Sequence, residues 1–187
     1  MLRDLILRNR SYRRFHQLPP VDRATLRELV DLARLSPSAA NRQPLRYILS
    51  AEPDRNALIF AQLAWAGYLA DWPGPDPDER PTAYILILRD NEVSTSVDCD
   101  HGIAAQSILL GAVERGLGGC VIGSVKRDAL AEVLQIPPRY AILLVLALGR
   151  PKETVVLEPA AGDIRYWRDA HAVHHVPKRA LDEIILG

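Results

Sequence analysis

The chain is poor in cysteine, with two, and in methionine, with one, and it has no excess of charge of either sign. Each shortage excludes something. Cys99 and Cys120 are too few for a disulfide framework and lack metal-finger spacing, so reduced thiols and a cytoplasmic location are expected. Lys and Arg total 23 against 23 Asp and Glu, which argues against nucleic acid or an anionic membrane surface as a partner. The longest apolar run, Tyr140 to Leu148, is strand length and far short of the roughly 20 residues of a membrane-spanning helix. The opening Met1-Leu2-Arg3-Asp4-Leu5 carries charge where a secretory leader needs an apolar run. No internal repeat and no phosphate loop ending in Gly-Lys-Ser/Thr occurs. Gly116 and Gly118 have the first spacing of the dinucleotide fingerprint, but Val121 stands at its third position and helix precedes strand.

What is present suits one globular domain over 1–187, with 48% hydrophobic and 25% charged residues. Leu2, Leu5 and Ile6 predict a helix over 2–8. Asp22 caps a helix over 23–35 in which Leu26, Leu29, Val30 and Ala33 share one face. Arg46–Leu49 reads as a strand. Pro53 and Asp54 open a helix through Leu58, Ile59, Leu63 and Ala66 that ends near Asp71, where Trp72-Pro73-Gly74-Pro75-Asp76-Pro77 makes a surface excursion. Tyr84–Leu88 is continuously apolar, as in a strand covered on both faces. A small-residue helix follows over 102–115, then a strand at Cys120–Ile122. Ser124 caps a short helix to Leu134, and Tyr140–Leu148 is the last core strand. Beyond Arg150 the sequence turns polar and predicts irregular structure, ending in an apolar tail, Leu181, Ile184, Ile185 and Leu186, that must dock at home or on a second subunit.

Four stretches carry chemistry. In Ser36–Pro44 the two prolines predict extended Ser36 and Gln43, while small residues and Asn41 permit a left-handed turn. Such a loop offers several backbone N–H groups and little bulk to a planar ligand, although many loops only connect. Asn9–Phe15 gathers Arg10, Arg13 and Arg14 around the Ser11 hydroxyl. Guanidinium forks match phosphate oxygens; the plainer alternative is a solvated basic turn. The glycines of 116–119 lead into Ile122, Gly123 and Ser124, a setting for close approach of a ligand or another backbone. Asp98, Asp100 and His101, with His171, His174 and His175, invite a metal reading. Aspartates at a helix start serve more simply as cap and dipole partners, and the histidines lack a further ligand at defined spacing. Basic clusters at both ends, with no nucleophile–base pair between them, suit a phosphorylated planar cofactor that brings its own chemistry.

In this order the motifs resemble those of the flavin mononucleotide-dependent nitroreductases. Arg10-Ser11-Tyr12-Arg13 with Phe15 resembles their phosphate motif, and Pro37-Ser38-Ala39-Ala40-Asn41-Arg42-Gln43-Pro44 their Pro-Ser-x-x-Asn-x-Gln-Pro loop. Gly116 to Gly123 is similar to their glycine strand, and Lys178-Arg179 to their C-terminal basic pair. The resemblance implies an α+β, nitroreductase-like fold with a mixed central β-sheet flanked by helices, and a homodimer crossed by a C-terminal arm. It implies FMN at the subunit interface, NAD(P)H as hydride donor, and a nitroaromatic, quinone or similar small acceptor. Arg10, Ser11, Arg13, Arg14, Pro37, Ser38, Ala39, Asn41, Gln43, Ile122, Gly123, Lys178 and Arg179 would then hold the cofactor. The backbone of Gly123 or Ser124 would lie near the flavin N5, with no side chain acting as catalyst. Asn9 stands where the family often has Arg, a contact that is either lost or taken over by Arg14, and Leu45 stands where an aromatic commonly follows Gln-Pro. The other readings are a flavin-binding relative with a non-reductase role, and a metal-dependent hydrolase built on Asp98, Asp100, His101, His171, His174 and His175.

Overall fold

The two longest apolar runs of the chain lie side by side and make the middle of a sheet. The computed structural model describes residues 1–187. Its elements in chain order are α1 (Leu2–Arg8), β1 (Phe15–His16), α2 (Arg23–Arg34), β2 (Leu45–Ser50), α3 (Pro53–Phe60), β3 (Ala83–Asp90) and α4 (Asp100–Glu114). There follow β4 (Gly118–Ile122), α5 (Arg127–Val133), β5 (Tyr140–Pro151), β6 (Val155–Pro159), β7 (Trp167–Arg168) and β8 (His174–Lys178). β5 pairs with β3 along one edge and with β4 and then β1 along the other, and β2 closes the sheet beyond β3. These ladders run antiparallel; the parallel element of the sheet is a single bridge, Ser11–Gly119, that ties the N-terminal segment to β4.

β3 is buried on both faces, as its unbroken apolar run predicts. Ile85 and Ile87 pack with Leu26 and Leu29 of α2 and Ala104, Ala105 and Ile108 of α4. Tyr84, Leu86 and Leu88 pack on the other side with Ile59, Trp65, Ile122 and Leu130. Gly111 of α4 serves the packing of α2: a Cβ there would stand 2.2 Å from the Leu32 side chain.

Four expectations are corrected. α3 stops at Phe60 instead of running to Asp71, because a distant segment competes for its backbone: Ala64 N–H donates to Ser124 O and the Gln62 carbonyl accepts from Lys126 N–H. For the same reason Ser124 does not cap α5; Lys126 stands at that position, without a side-chain bond. The Pro-rich excursion is partly interior, with Glu79 buried beneath it. The chain beyond Arg150 is not irregular but forms a second sheet, β6-β8-β7, with β6 and β8 parallel.

Glu79 locks that excursion to the N-terminal segment. Its carboxylate takes the Arg14 fork, with Nη2 at 2.7 Å, and Lys152 Nζ at 2.8 Å. The bond from Arg14, with Lys152 adding to it, holds the Glu79 carboxyl down at about 2. A depressed carboxylate contributes stability that is fully present above its unfolded value, about 4.3, and lost as pH falls through the folded one. Wild-type protein is therefore expected to lose on the order of 3 kcal/mol between about pH 4.5 and 2 through this one group. Glu79→Gln should be less stable at neutral pH and flatter across that window in urea melts; a parallel pair of curves would refute the assignment.

Candidate functional site

Glu153, just past β5, decides where two neighbouring arginines go. Its buried carboxylate accepts the backbone N–H groups of both Arg13 and Arg14 and the Arg168 guanidinium at 3.2 Å. Tyr12 N–H donates to Gly119 O at 3.0 Å, and the Tyr12 ring fills the space that a side chain on Gly118 would take, 2.5 Å from its Cβ. The segment is thus pinned on both sides, and successive side chains leave it in different directions. Arg14 is bound to Glu79, so it is not free to replace the contact missing at Asn9. Arg13 is 8% exposed and has no carboxylate partner. Its Nη1 donates to Ser11 O at 3.1 Å and faces His174 Nε2 at 3.3 Å, with the Tyr166 ring 5.0 Å from the guanidinium carbon.

β8 runs past this point, and its period of two puts His174 and Lys178 on one side. A cleft of about 260 Å³ results, lined by Asn9, Arg10, Ser11, Arg13, Tyr166, His174, Val176 and Lys178. It contains three cations and no carboxylate. Arg10 is half-buried, and burial pulls its pKa down; its Nη2 donates to Ile6 O at 2.6 Å while Nε has no partner. Arg179 turns away toward Glu183 at 3.8 Å. Of the basic residues that the sequence singles out, the structure brings together Arg10, Arg13 and Lys178 with Ser11, and does not bring Arg14 or Arg179. An anion is the ligand such a lining lacks.

The loop at 36–44 is built from α4. Asp100, 3% exposed, accepts Ser38 Oγ at 2.6 Å and Ala39 N–H at 2.9 Å. Ser38 Oγ in turn accepts Gln43 N–H at 2.9 Å, while Asn41 and Arg42 N–H groups bond to Ser38 O and Ala39 O. The expected free backbone donors are therefore largely consumed within the loop. Gln43 is not extended but left-handed, at φ 51, like Ala40 at 48 and Asn41 at 52. Non-glycine residues in that region each cost roughly 1 kcal/mol or more, and such strain collects at functional sites. Pro37, Ser38, Gln43, Tyr47, Asp100 and Ala104 line a second cavity of about 180 Å³, separate from the cationic cleft. Burial, and then Asp100, push Tyr47 up to about 12. Asp100→Asn offers one acceptor where two donors converge, so a loss of about 1–3 kcal/mol is expected. It should appear as a melting temperature lower by several degrees and faster proteolysis within 36–44. An unchanged melt would show the loop holding itself.

At the end of β4 the Ile122 side chain is in the core, so only its backbone is available to a ligand. Gly123 is exposed, with nothing within 4 Å of an added Cβ, and neither Gly123 nor Ser124 N–H donates a hydrogen bond within the chain. The histidines disperse: His174 enters the cleft, and His175 is held by Glu158 at 3.0 Å and Asp169 at 3.3 Å while stacked on Trp167. No group of three or more His, Cys, Asp or Glu side chains stands at a spacing that could hold a metal ion. Asp98, Asp100, His101, His171, His174 and His175 thus do not form the hydrolase centre considered from the sequence.

The chain is 26% identical over 169 residues to the 5,6-dimethylbenzimidazole synthase of Rhodospirillum rubrum, covering 77% of this chain and 79% of that protein. It is 39% identical to the NADPH-flavin oxidoreductase of Vibrio harveyi over 62 residues, 32% of this chain and 26% of that protein. An FMN-dependent nitroreductase from Clostridium difficile superposes with a TM-score of 0.65 at 22% identity, over 80% of this chain and 87% of that one. The family description "Nitroreductase family" matches residues 6–150, from α1 to the end of β5 and so through the arginine segment, the strained loop and the glycine strand. The chain belongs to the nitroreductase family.

Proposed function

We propose that this chain is an FMN-dependent oxidoreductase that takes hydride from NAD(P)H and passes electrons to a small acceptor such as a nitroaromatic or a quinone. The observation that carries the reading is Arg13: a buried guanidinium without a carboxylate, in a cleft whose lining is cationic. Arg10, Ser11, Arg13 and Lys178 would hold the phosphate of FMN. Pro37, Ser38, Ala39, Asn41 and Gln43 would lie against its ring, and Ile122, Gly123 and Ser124 would present backbone to it. Bound FMN supplies the hydride and electron transfer. The protein supplies position and electrostatics: fixed cations on the phosphate, free N–H groups of Gly123 and Ser124 as donors for developing charge, and a rigid loop that excludes water. Arg13 and Ser38 lie on two separate cavities of one chain, which favours a homodimer in which each site draws on both subunits.

The first measurement is the visible spectrum of the protein as isolated. A flavin spectrum is expected, and protein that is colourless and fails to take up added FMN would overturn the cofactor. NAD(P)H oxidation dependent on a nitroaromatic or quinone is expected next. A flavin-loaded protein inert to NAD(P)H would instead favour a non-reductase role, the direction to which similarity to the 5,6-dimethylbenzimidazole synthase points. Dialysis against a chelator is expected to leave activity intact, because the histidines are engaged singly; loss restored by zinc would revive the hydrolase.

A further inference from the structure

His174 is the residue of the cationic cleft that the sequence motifs do not account for. It is 1% exposed, yet it lines the cleft beside Arg13 and Lys178. Its ring is unsatisfied in either neutral tautomer. With the proton on Nδ1, Nε2 accepts from Arg13 Nη1 at 3.3 Å, and Nδ1, which has no partner, is a buried donor without an acceptor. With the proton on Nε2, that N–H faces a guanidinium donor. A buried donor without a partner is costly, and native structures seldom keep one without a role. What the ring lacks in both forms is an acceptor, and the cleft is the open space beside it.

We propose that His174 is a binding residue of this cleft: a phosphate monoester dianion accepts hydrogen bonds from Arg13 and His174 together, and the imidazole takes up one proton from solvent as the anion enters. No covalent bond changes; a neutral ring and a dianion become an imidazolium–phosphate pair, with Arg13 donating to the anion in place of the ring nitrogen. This inference rests on the cleft being the phosphate site of the proposed cofactor.

The groups around the ring set the direction. Arg13 faces it from the N-terminal segment, Tyr166 lies against it at 5.1 Å, and Arg168 and His175 stand on β7 and β8. Lys178 and Arg10 complete the lining, and Glu153 is already shared by Arg168 and the backbone of Arg13 and Arg14. Burial first, then the positive charge of Arg13, Arg168 and His175, holds free His174 down at about 4. Free protein therefore has a neutral ring at neutral pH. A dianion in contact favours the charged form and raises that value. Above about pH 6, where the phosphate is already dianionic, affinity then falls as pH rises, until the midpoint of the bound ring is passed.

The test follows the imidazole nitrogens of 15N-histidine-labelled protein against pH, with His174→Gln identifying the resonance. Four samples are compared: no ligand, FMN, riboflavin and inorganic phosphate. The expected His174 midpoint is near 4 without ligand. It should be higher by about 3 pH units with FMN or phosphate, which puts the bound ring at about 7, and unmoved by riboflavin. His174→Gln should lose the fall in FMN affinity above about pH 6. If FMN binds and the resonance does not move, His174 is no binding residue while the flavin reading stands. If FMN does not bind but inorganic phosphate moves the resonance, the cleft is a phosphate site and the flavin reading fails. If neither ligand moves it, the proposal is overturned.

Discussion

Arg13→Ala is expected to weaken FMN binding by roughly ten- to a hundredfold while the protein still folds. The magnitude follows from one charge-assisted contact, about 1.5–3 kcal/mol, at tenfold per 1.4 kcal/mol. Arg13 is the strongest candidate in the cleft because nothing inside the chain neutralises it: a backbone carbonyl and an imidazole nitrogen are its hydrogen-bond partners. Arg14 provides the internal control. Its fork is occupied by Glu79, so Arg14→Ala should lower stability and leave FMN affinity nearly unchanged. Riboflavin separates the phosphate contribution from the rest, since its weaker binding should be the same in wild type and Arg13→Ala. Quenching of flavin fluorescence on titration of apoprotein measures all of these. An Arg13→Ala protein with normal melting and unchanged FMN affinity would remove Arg13 from the site and, with it, the main support for the cleft.

That contrast also marks the limit of what the sequence discloses. Arg13 and Arg14 are adjacent and chemically identical, and the carboxylates that separate their fates, Glu153 and Glu79, are 140 or 139 and 65 positions away. No local pattern encodes that. The elements read correctly are those settled by local chemistry: α2 by its apolar face and by the Asp22 side chain that accepts Thr25 N–H at 2.7 Å, and β3 by a run apolar on both faces. The elements misread are those where distant backbone competes. α3 has the composition to continue, but residues 62–64 bond to 124–126 instead. Gln43 precedes proline and should be extended, yet Asp100, through Ser38, holds its N–H in a turn that requires a positive φ. β8, His174-His175-Val176-Pro177-Lys178, has a proline and no alternation, and it becomes a strand because β6 lies parallel to it on one side and β7 antiparallel on the other. The motifs thus pointed to the arginine segment and the loop, while Asp100 and His174 stood out in the sequence only as cap or metal-ligand candidates, and Glu153 carries no sequence pattern of its own.

Truncation after Lys178 is expected to yield monomeric or aggregated protein without bound flavin. In the single chain the tail is stranded: Leu181, Ile184, Ile185 and Leu186 are 66%, 62%, 57% and 94% exposed. Four such side chains in water are an unspent contribution of about 1.5–3 kcal/mol each on burial, and contiguous apolar surface of this kind marks an interaction site. A complementary surface exists on the chain itself. β2 pairs with β3 on one edge and leaves the other free. Beside it lies a groove of about 950 Å³ around Val30, Leu45 and Leu49; Arg34 and Arg115 are paired there with Asp31 and Glu28, and Arg46 with Asp90, which leaves Arg23, Arg27 and Arg55 without a carboxylate partner. The tail carries Asp182 and Glu183 among its apolar residues, so its apolar side chains and the Asp182 carboxylate match the apolar floor and the three unpaired arginines of that groove on a second copy. If the 36–44 loop of one subunit meets the cationic cleft of the other in such a dimer, assembly and cofactor are lost together. Sizing chromatography read at protein and flavin wavelengths decides it. Full-length protein should elute as a flavin-bearing dimer, whereas a truncated monomer with full flavin occupancy would mean that one chain builds the whole site and that the tail serves something else.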